Sequence, residues 1–363
     1  MQNIGRELIK LGHDVSVICA SLDSNHNNFR DGSIQVYPII DEKPSTIIYY
    51  IYRIPFIKIL SGLISYLYNG IKIHLFLIKL NHKKKIDFIE YTEGGDFWNA
   101  ISKRFKYSSH LHGSNYTFKS QATKNPILID WVRRRVEHFF IGRANKVISP
   151  SHAMLKLVKK EMKQNIPQAH VIPYPVNKNE IKPIHQKNSV EKVKLIFASR
   201  NDPIKGGDIF IKALEKLPQS IQLKIKVRFY GYKPEKDFSH LRFLNIHSFV
   251  KKDILLKAYS SADICVIPSL FDNSPNTVYE AMAHGKIVVA SAVGGIPEII
   301  GSDKNGFLFN PFDINDFKLI LEKAINTVIN GDSYMIRMNA QKRILSISNL
   351  AANTKKRLAL TTT

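Results

Sequence analysis

The stretch from Ala262 to Gly285 limits what this chain can fold into more than any other. Ala262-Asp263-Ile264-Cys265-Val266-Ile267-Pro268-Ser269 is apolar and β-branched and closes on Pro and Ser, which predicts a buried strand. Ser274-Pro275 supplies a capping hydroxyl and then a proline for the first helical position. A helix is therefore expected from Asn276 to His284, with Gly285 as its stop. The strand leads into a loop carrying Asp272, and the second helical turn carries Glu280. Free backbone N–H groups at such a helix start form a ready phosphate site, with Asn273, Ser274, Asn276, Thr277 and Val278 as its candidates. Carboxylates on either side of that site suit the hydroxyls of a sugar nucleotide better than a metal. The plain alternative is an ordinary strand–helix unit with surface acids.

An acid, seven intervening residues and then Glu280-Ala281-Met282-Ala283-His284-Gly285 resembles the signature of the retaining glycosyltransferases of family 4, which have the GT-B fold. The family usually has Glu where this chain has Asp272, whose reach is shorter by one methylene. The resemblance continues through Ile287-Val288-Val289-Ala290-Ser291 and Gly294-Gly295-Ile296-Pro297-Glu298-Ile299 to Asn305-Gly306-Phe307-Leu308. It implies an α/β chain of two Rossmann-like domains facing each other across a cleft. It also implies transfer of a sugar, with retention, from a nucleoside diphosphate-sugar to a saccharide or lipid-linked acceptor, as in surface polysaccharide synthesis.

A length of 363 residues suits two domains, and 44% hydrophobic residues is an ordinary soluble composition. Cys19 and Cys265 each lie in an apolar run, which supports no disulfide framework and points to a reducing, cytoplasmic compartment. The first residues show no signal-peptide pattern. The net charge of +23 suits nucleic acid, an anionic membrane or anionic substrates, or reflects a lysine-rich composition alone. No zinc spacing, aromatic RNA-binding signature or basic tail is present, so no nucleic acid is expected and an anionic membrane surface is the better partner.

The first domain is expected over residues 1–175. Ile4, Leu8 and Leu11 fall at helical spacing, Gly12 ends that helix, and Val15 to Ala20 forms a strand. A doubly wound domain normally opens on a central strand and a glycine-rich turn, and neither precedes this helix. The chain as given thus reads as truncated at its start, and losing a central strand would leave two neighbouring strands with unsatisfied edges. Ile34 to Ile39 is a further strand. Ile47 to Leu80, dense in Ile, Leu, Tyr and Phe, reads as one or two amphipathic helices, and its longest uncharged run is too short to span a bilayer. Two readings stay open for it: rest on an anionic membrane, peripheral at the inner face, or burial against its own sheet. Ser108-Ser109-His110-Leu111-His112-Gly113 reads as a strand ending in a turn, with His110 in the core and His112 at the carboxyl end where ligands collect. The family has a His-Gly here that faces the donor sugar. Pro126 to Arg143 is expected as a helix whose arginines form a solvated face.

Residues 176–192 read as a linker, 193–332 as the nucleotide-sugar domain, and 333–363 as helices that cross back to the first domain. Val193 to Ser199 is its first strand, followed by Arg200 and Lys205, which resemble the family's basic pair facing the donor diphosphate. Two cations there would stabilise the charge that develops as the glycosidic bond breaks, so no divalent cation and no other cofactor is called for. Gly231 ends a later strand where the family places a turn near the nucleotide base. The rival readings are a catalytically inactive remnant and a basic protein that binds membrane or nucleic acid. A sugar-nucleotide epimerase of similar shape is the enzyme alternative.

Overall fold

The computed structural model describes residues 2–21, 27–41, 55–93, 95–113, 117, 120, 128–163, 166, 168–186 and 190–361. The chain divides into two compact units. Unit 1 comprises Met1–Pro150, Met154–Ile172 and Leu350–Thr363, and unit 2 comprises Ser151–Ala153 and Pro173–Asn349. The segment read as a linker falls in unit 2: Lys178–Glu180 form a 3-10 turn closed by a capping box of Asn177 and Glu180. The helix Ser333–Ile347 also belongs to unit 2, whereas Leu350–Thr361 belongs to unit 1. The break at Ser348-Asn349 is fixed by pairing, because the Val176 N–H donates to the Ser348 carbonyl at 2.7 Å.

In unit 1 the strands are β1 (Ser16–Ser21), β2 (Phe29–Asp31), β3 (Ile34–Asp41), β4 (Ile89–Thr92), β5 (Tyr107–His110), β6 (Lys146–Ser149) and β7 (Ala169–Val171). They form a three-stranded sheet of order β1-β3-β2 and a four-stranded parallel sheet of order β4-β5-β6-β7. Among the described residues β1 pairs only with β3 and β4 only with β5, so each presents one unpaired edge. One helix, Pro55–Lys83, runs through the segment where one or two were expected; residues 47–54 lie outside the described residues. It packs against β3 and the helices Phe97–Ser102 and Leu128–Gly142. Among the described residues no helix is long and apolar enough to cross a membrane. Arg135 of helix 128–142 and Arg143 just past its end are exposed, as expected, and each also lies over an aromatic ring, 4.5 Å from Trp131 and 4.3 Å from Phe139. Such stacking covers the aromatic faces that a helix of this size cannot bury inward. Helix 350–361 packs on the helix Gln2–Lys10 and drives Arg357, 3% exposed, against Glu90 of β4 and toward His110 of β5.

Unit 2 holds β8 (Val193–Ala198), β9 (Ile225–Tyr230), β10 (Leu244–His247), β11 (Ile264–Ile267), β12 (Ile287–Ser291) and β13 (Phe307–Phe309). All pair in parallel in the order β10-β9-β8-β11-β12-β13. Counted from β8 this is the doubly wound order, third-second-first-fourth-fifth-sixth, in which the direction of winding reverses between the first and fourth strands. Val, Ile and Leu run through β8, β11 and β12 because both faces of such a sheet are covered. One face buries Phe197, Phe210, Phe229, Phe309 and Phe317, each contributing roughly 1.5–3 kcal/mol of transfer free energy. The other face packs on the helix Asn276–Ala283, which turns Val278, Ala281 and Met282 inward and leaves Glu280 partly exposed.

Candidate functional site

The winding of unit 2 reverses between β8 and β11, and a parallel sheet collects ligands at the carboxyl ends of the strands flanking such a point. The loop after β8 carries Arg200 and Lys205, and the loop after β11 carries Asp272. The structure brings two of these three together: Lys205 Nζ donates to Asp272 Oδ2 at 2.6 Å, with side-chain exposures of 23% and 9%. Arg200 is exposed and makes no side-chain hydrogen bond or ion pair among the described residues.

Backbone contacts fix the two loops to each other. The Leu270 N–H donates to the Ile204 carbonyl at 2.8 Å. Asp202 caps the turn Pro203–Lys205 by accepting the Ile204 N–H at 3.1 Å, which sets the direction in which Lys205 leaves. Gly206, at φ +73°, sits so close to Pro268 that a Cβ would overlap its carbonyl oxygen. Only glycine meets both conditions. After β12, Gly294 (φ +54°) and Gly295 lie against the Asp272 and Asn273 carbonyls with the same intolerance of a Cβ, and the Gly295 N–H donates to the Asp272 carbonyl at 3.2 Å. Ser291 Oγ donates to the Ser269 carbonyl at 2.5 Å. The 268–273 loop is thus held at Pro268 and Leu270 from the β8 side and at Asp272 and Asn273 from the β12 side.

The helix start differs from the expectation in one respect. Pro275 occupies the cap position and no side chain caps the helix. Ser274 turns inward, its Oγ 2.8 Å from Tyr279 Oη, because a buried phenol requires a polar partner. Burial pushes the Tyr279 phenol up to about 12. Val278 is fully buried, and its N–H is already donated to the Pro275 carbonyl at 3.0 Å. This leaves the amides of Asn276 and Thr277 as the uncapped first-turn donors. Asn273 is buried and accepts from Ser151 Oγ at 2.8 Å. Glu280 lies on the second turn, and its carbonyl is 2.8 Å from His284 Nδ1. Burial lifts the Cys265 thiol to about 12, so it is no nucleophile at neutral pH.

Gly231 closes β9 at φ +77°, where a Cβ would overlap the Ser199 carbonyl, and its N–H donates to the His247 carbonyl at 3.1 Å. Tyr230, just before it, stacks on the His247 ring at 4.8 Å. The turn read as lying near a nucleotide base is therefore anchored to the loop that carries Arg200.

In unit 1, His110 is buried beside Arg357, as expected for a core residue. His112 is half-buried at the end of β5, and its ring lies 4.3 Å from that of His110. Burial and the neighbouring Arg357 lower it to about 4, so its imidazole is neutral at pH 7. A residue the sequence reading passed over holds this turn: Glu93 accepts the backbone N–H of His112 through Oε2 and that of Gly113 through Oε1, the latter at 2.6 Å. The usable signal was its position, one residue past β4 at the carboxyl end of the same sheet. The Lys205–Asp272 contact was missed as well, since 67 residues separate the partners.

Comparison with known proteins matches residues 177–343 to the family model "Glycosyl transferases group 1" and residues 1–180 to "Glycosyltransferase Family 4". The sulfoquinovosyl transferase SQD2 of Arabidopsis thaliana is 35% identical over 133 residues, which is 35% of this chain and 25% of that protein. The chain spans 25–40% of the first curated relatives it matches. Among solved structures, a sucrose-phosphate synthase from Thermosynechococcus elongatus superposes with a TM-score of 0.78 at 18% identity, covering 99% of this chain and 91% of that one. Anabaena HepE in complex with UDP superposes with a TM-score of 0.65 at 20% identity, covering 90% and 85%. These two likenesses bear on the fold, which is that of the GT-B glycosyltransferases.

Proposed function

Because the chain belongs to the group 1 and family 4 glycosyltransferases, we propose that unit 2 binds a nucleoside diphosphate-sugar at the point where its sheet winding reverses. The sugar is then transferred, with retention, to a saccharide or lipid-linked acceptor, in the manner of surface polysaccharide synthesis. The observation that carries this reading is the 2.6 Å contact between Lys205 and Asp272, which joins the loops of β8 and β11. Glu280 accepts hydrogen bonds from the ribose hydroxyls and Asp272 from hydroxyls of the donor sugar. The Asn276 and Thr277 amides, at the positive end of the helix dipole, receive a phosphate. Gly231 keeps the base-side turn close to the loop of Arg200.

In the reaction the bond from the anomeric carbon to the diphosphate oxygen breaks, and its electron pair leaves with the diphosphate. Arg200 and Lys205 neutralise that charge. An acceptor hydroxyl oxygen bonds to the anomeric carbon on the same face, and its proton passes to the departing phosphate oxygen. His112, neutral at pH 7, hydrogen-bonds the donor sugar. Removing one such electrostatic contact costs about 2.7–4 kcal/mol of transition-state stabilisation, or 10²–10³ in rate. Turnover of UDP-, GDP- and ADP-sugars by the wild type, Arg200→Ala and Lys205→Ala tests the assignment. Near-normal turnover in either variant would overturn it.

A peripheral membrane position is supported by one observation. Helix 55–83 exposes Ile64, Tyr68, Ile71 and Leu75, a stripe at i, i+4, i+7 and i+11, with Lys72 4.9 Å over the Tyr68 ring. Apolar side chains beside lysines suit an anionic bilayer surface. Co-flotation with anionic but not zwitterionic vesicles, abolished by Leu75→Glu, is the expected result; equal flotation with both would contradict it.

A further inference from the structure

We infer that Glu93 is a positioning residue for His112, acting through the main chain of the His112-Gly113 turn. The inference rests on the reading that His112 meets the donor sugar.

The geometry begins with the register of the sheet. Thr92, the last residue of β4, lies opposite His110, the last of β5. Glu93 and the 112–113 turn therefore leave the same edge of the sheet side by side. Each carboxylate oxygen of Glu93 takes one of two consecutive backbone N–H groups, Oε2 from His112 and Oε1 from Gly113. Gly113 has φ +99°, a backbone setting open to glycine, and successive N–H groups aimed at one point in this way form a cradle of the kind that usually holds an anion. Here the chain fills the cradle with its own acid.

That choice is costly, which is why it calls for an explanation. Glu93 is 7% exposed. Burial pushes its carboxyl up to about 8, with Glu137 of helix 128–142 adding like charge, while the His112 and Gly113 amides pull the other way. A buried acid satisfied only by amides stabilises a fold poorly compared with an apolar side chain. What it does supply is direction. A two-point clamp on the amides of residues 112 and 113 fixes the peptide planes from which the His112 side chain departs. A displacement of about 1 Å in a group that orients substrate costs up to about 10²-fold in rate.

The test compares donor turnover in the wild type, Glu93→Gln, His112→Ala and the double variant, together with the thermal shift each shows with UDP, GDP or ADP. Turnover is read above about pH 8, where the Glu93 carboxyl is ionised and each of its oxygens accepts an amide. Gln offers one acceptor oxygen where the turn presents two donors. The expected result is a ten- to hundredfold lower kcat for Glu93→Gln, an unchanged nucleotide shift, and a double variant no slower than His112→Ala alone. Glu93→Asp withdraws the carboxylate by one methylene; it carries the same expectation and serves if the glutamine variant does not fold. A normal kcat for Glu93→Gln beside an impaired His112→Ala would overturn the role of Glu93 and leave the reading of His112 standing. A normal His112→Ala would overturn both. Losses that multiply in the double variant would show that Glu93 acts other than through His112.

Discussion

Replacing Lys205 with alanine leaves Asp272, whose side chain is 9% exposed, without the cation 2.6 Å away. Breaking a fully buried pair at one end costs about 3–5 kcal/mol. Water reaches the lysine end of this pair, where the side chain is 23% exposed, so the expected loss is about 2–3 kcal/mol. In a domain of this size that lowers Tm by about 4–12 °C. Asp272→Asn removes the stranded charge, and the double variant should recover most of the loss, giving a coupling of about 2 kcal/mol in a double-mutant cycle. Urea unfolding of the wild type, both single variants and the double variant is the assay. Effects that add within about 0.5 kcal/mol would show that Lys205 contributes packing and not charge.

Gly294→Ala puts a Cβ into the Asp272 carbonyl at φ +54° and should cost about 3 kcal/mol or more while abolishing nucleotide-induced stabilisation, as read by thermal unfolding. Asp272→Glu restores the residue usual in the family and should keep transfer within about tenfold, at the cost of about 1–3 kcal/mol for one more methylene in a packed loop; inactivity would mean the shorter acid is required. Turnover should withstand a chelator, because Arg200 and Lys205 serve the diphosphate; loss of activity restored by a divalent cation would contradict that. Glu93, raised from 4.5 to about 8, binds a proton on folding between those values. Its ionisation penalty is absent below about pH 4.5 and complete above about pH 8, so Glu93→Gln should gain stability relative to wild type as pH rises through that window; a constant difference would refute it.

The parts of the fold legible in the sequence were those written locally. The apolar run of β11, the Gly285 stop at φ +61° and the loop between them gave the right strand, loop and helix because each signal acts within a few residues. The His112-Gly113 turn was legible as the end of the strand read from Ser108, which runs from Tyr107 to His110. Where local chemistry competes with tertiary demand, the reading failed. Ser274 has the composition of a cap, yet the buried phenol of Tyr279 claims its hydroxyl. Residues 333–363 read as helices that cross back to the first domain, but helix 333–347 packs on helix 276–283 and β12, and only the chain from Leu350 on belongs to unit 1. The pairing of Lys205 with Asp272, and of Glu93 with the 112–113 turn, could not be read. Both join loops from different strands, and only the order of the sheet makes those loops neighbours. The doubly wound order itself follows from pairing alone and explains why the site residues come from β8 and β11, separated by the whole of β9 and β10.

The account stands most directly on whether unit 2 binds a nucleoside diphosphate through Glu280. The measurement is thermal unfolding of the wild type and Glu280→Ala with saturating UDP, GDP and ADP in turn. A ligand at about 100 times its Kd adds roughly 2.7 kcal/mol to the folded state. The account predicts that one of the three raises the wild-type midpoint by about 5–10 °C and leaves the variant unmoved. No shift with any of them, or an equal shift in Glu280→Ala, would contradict it.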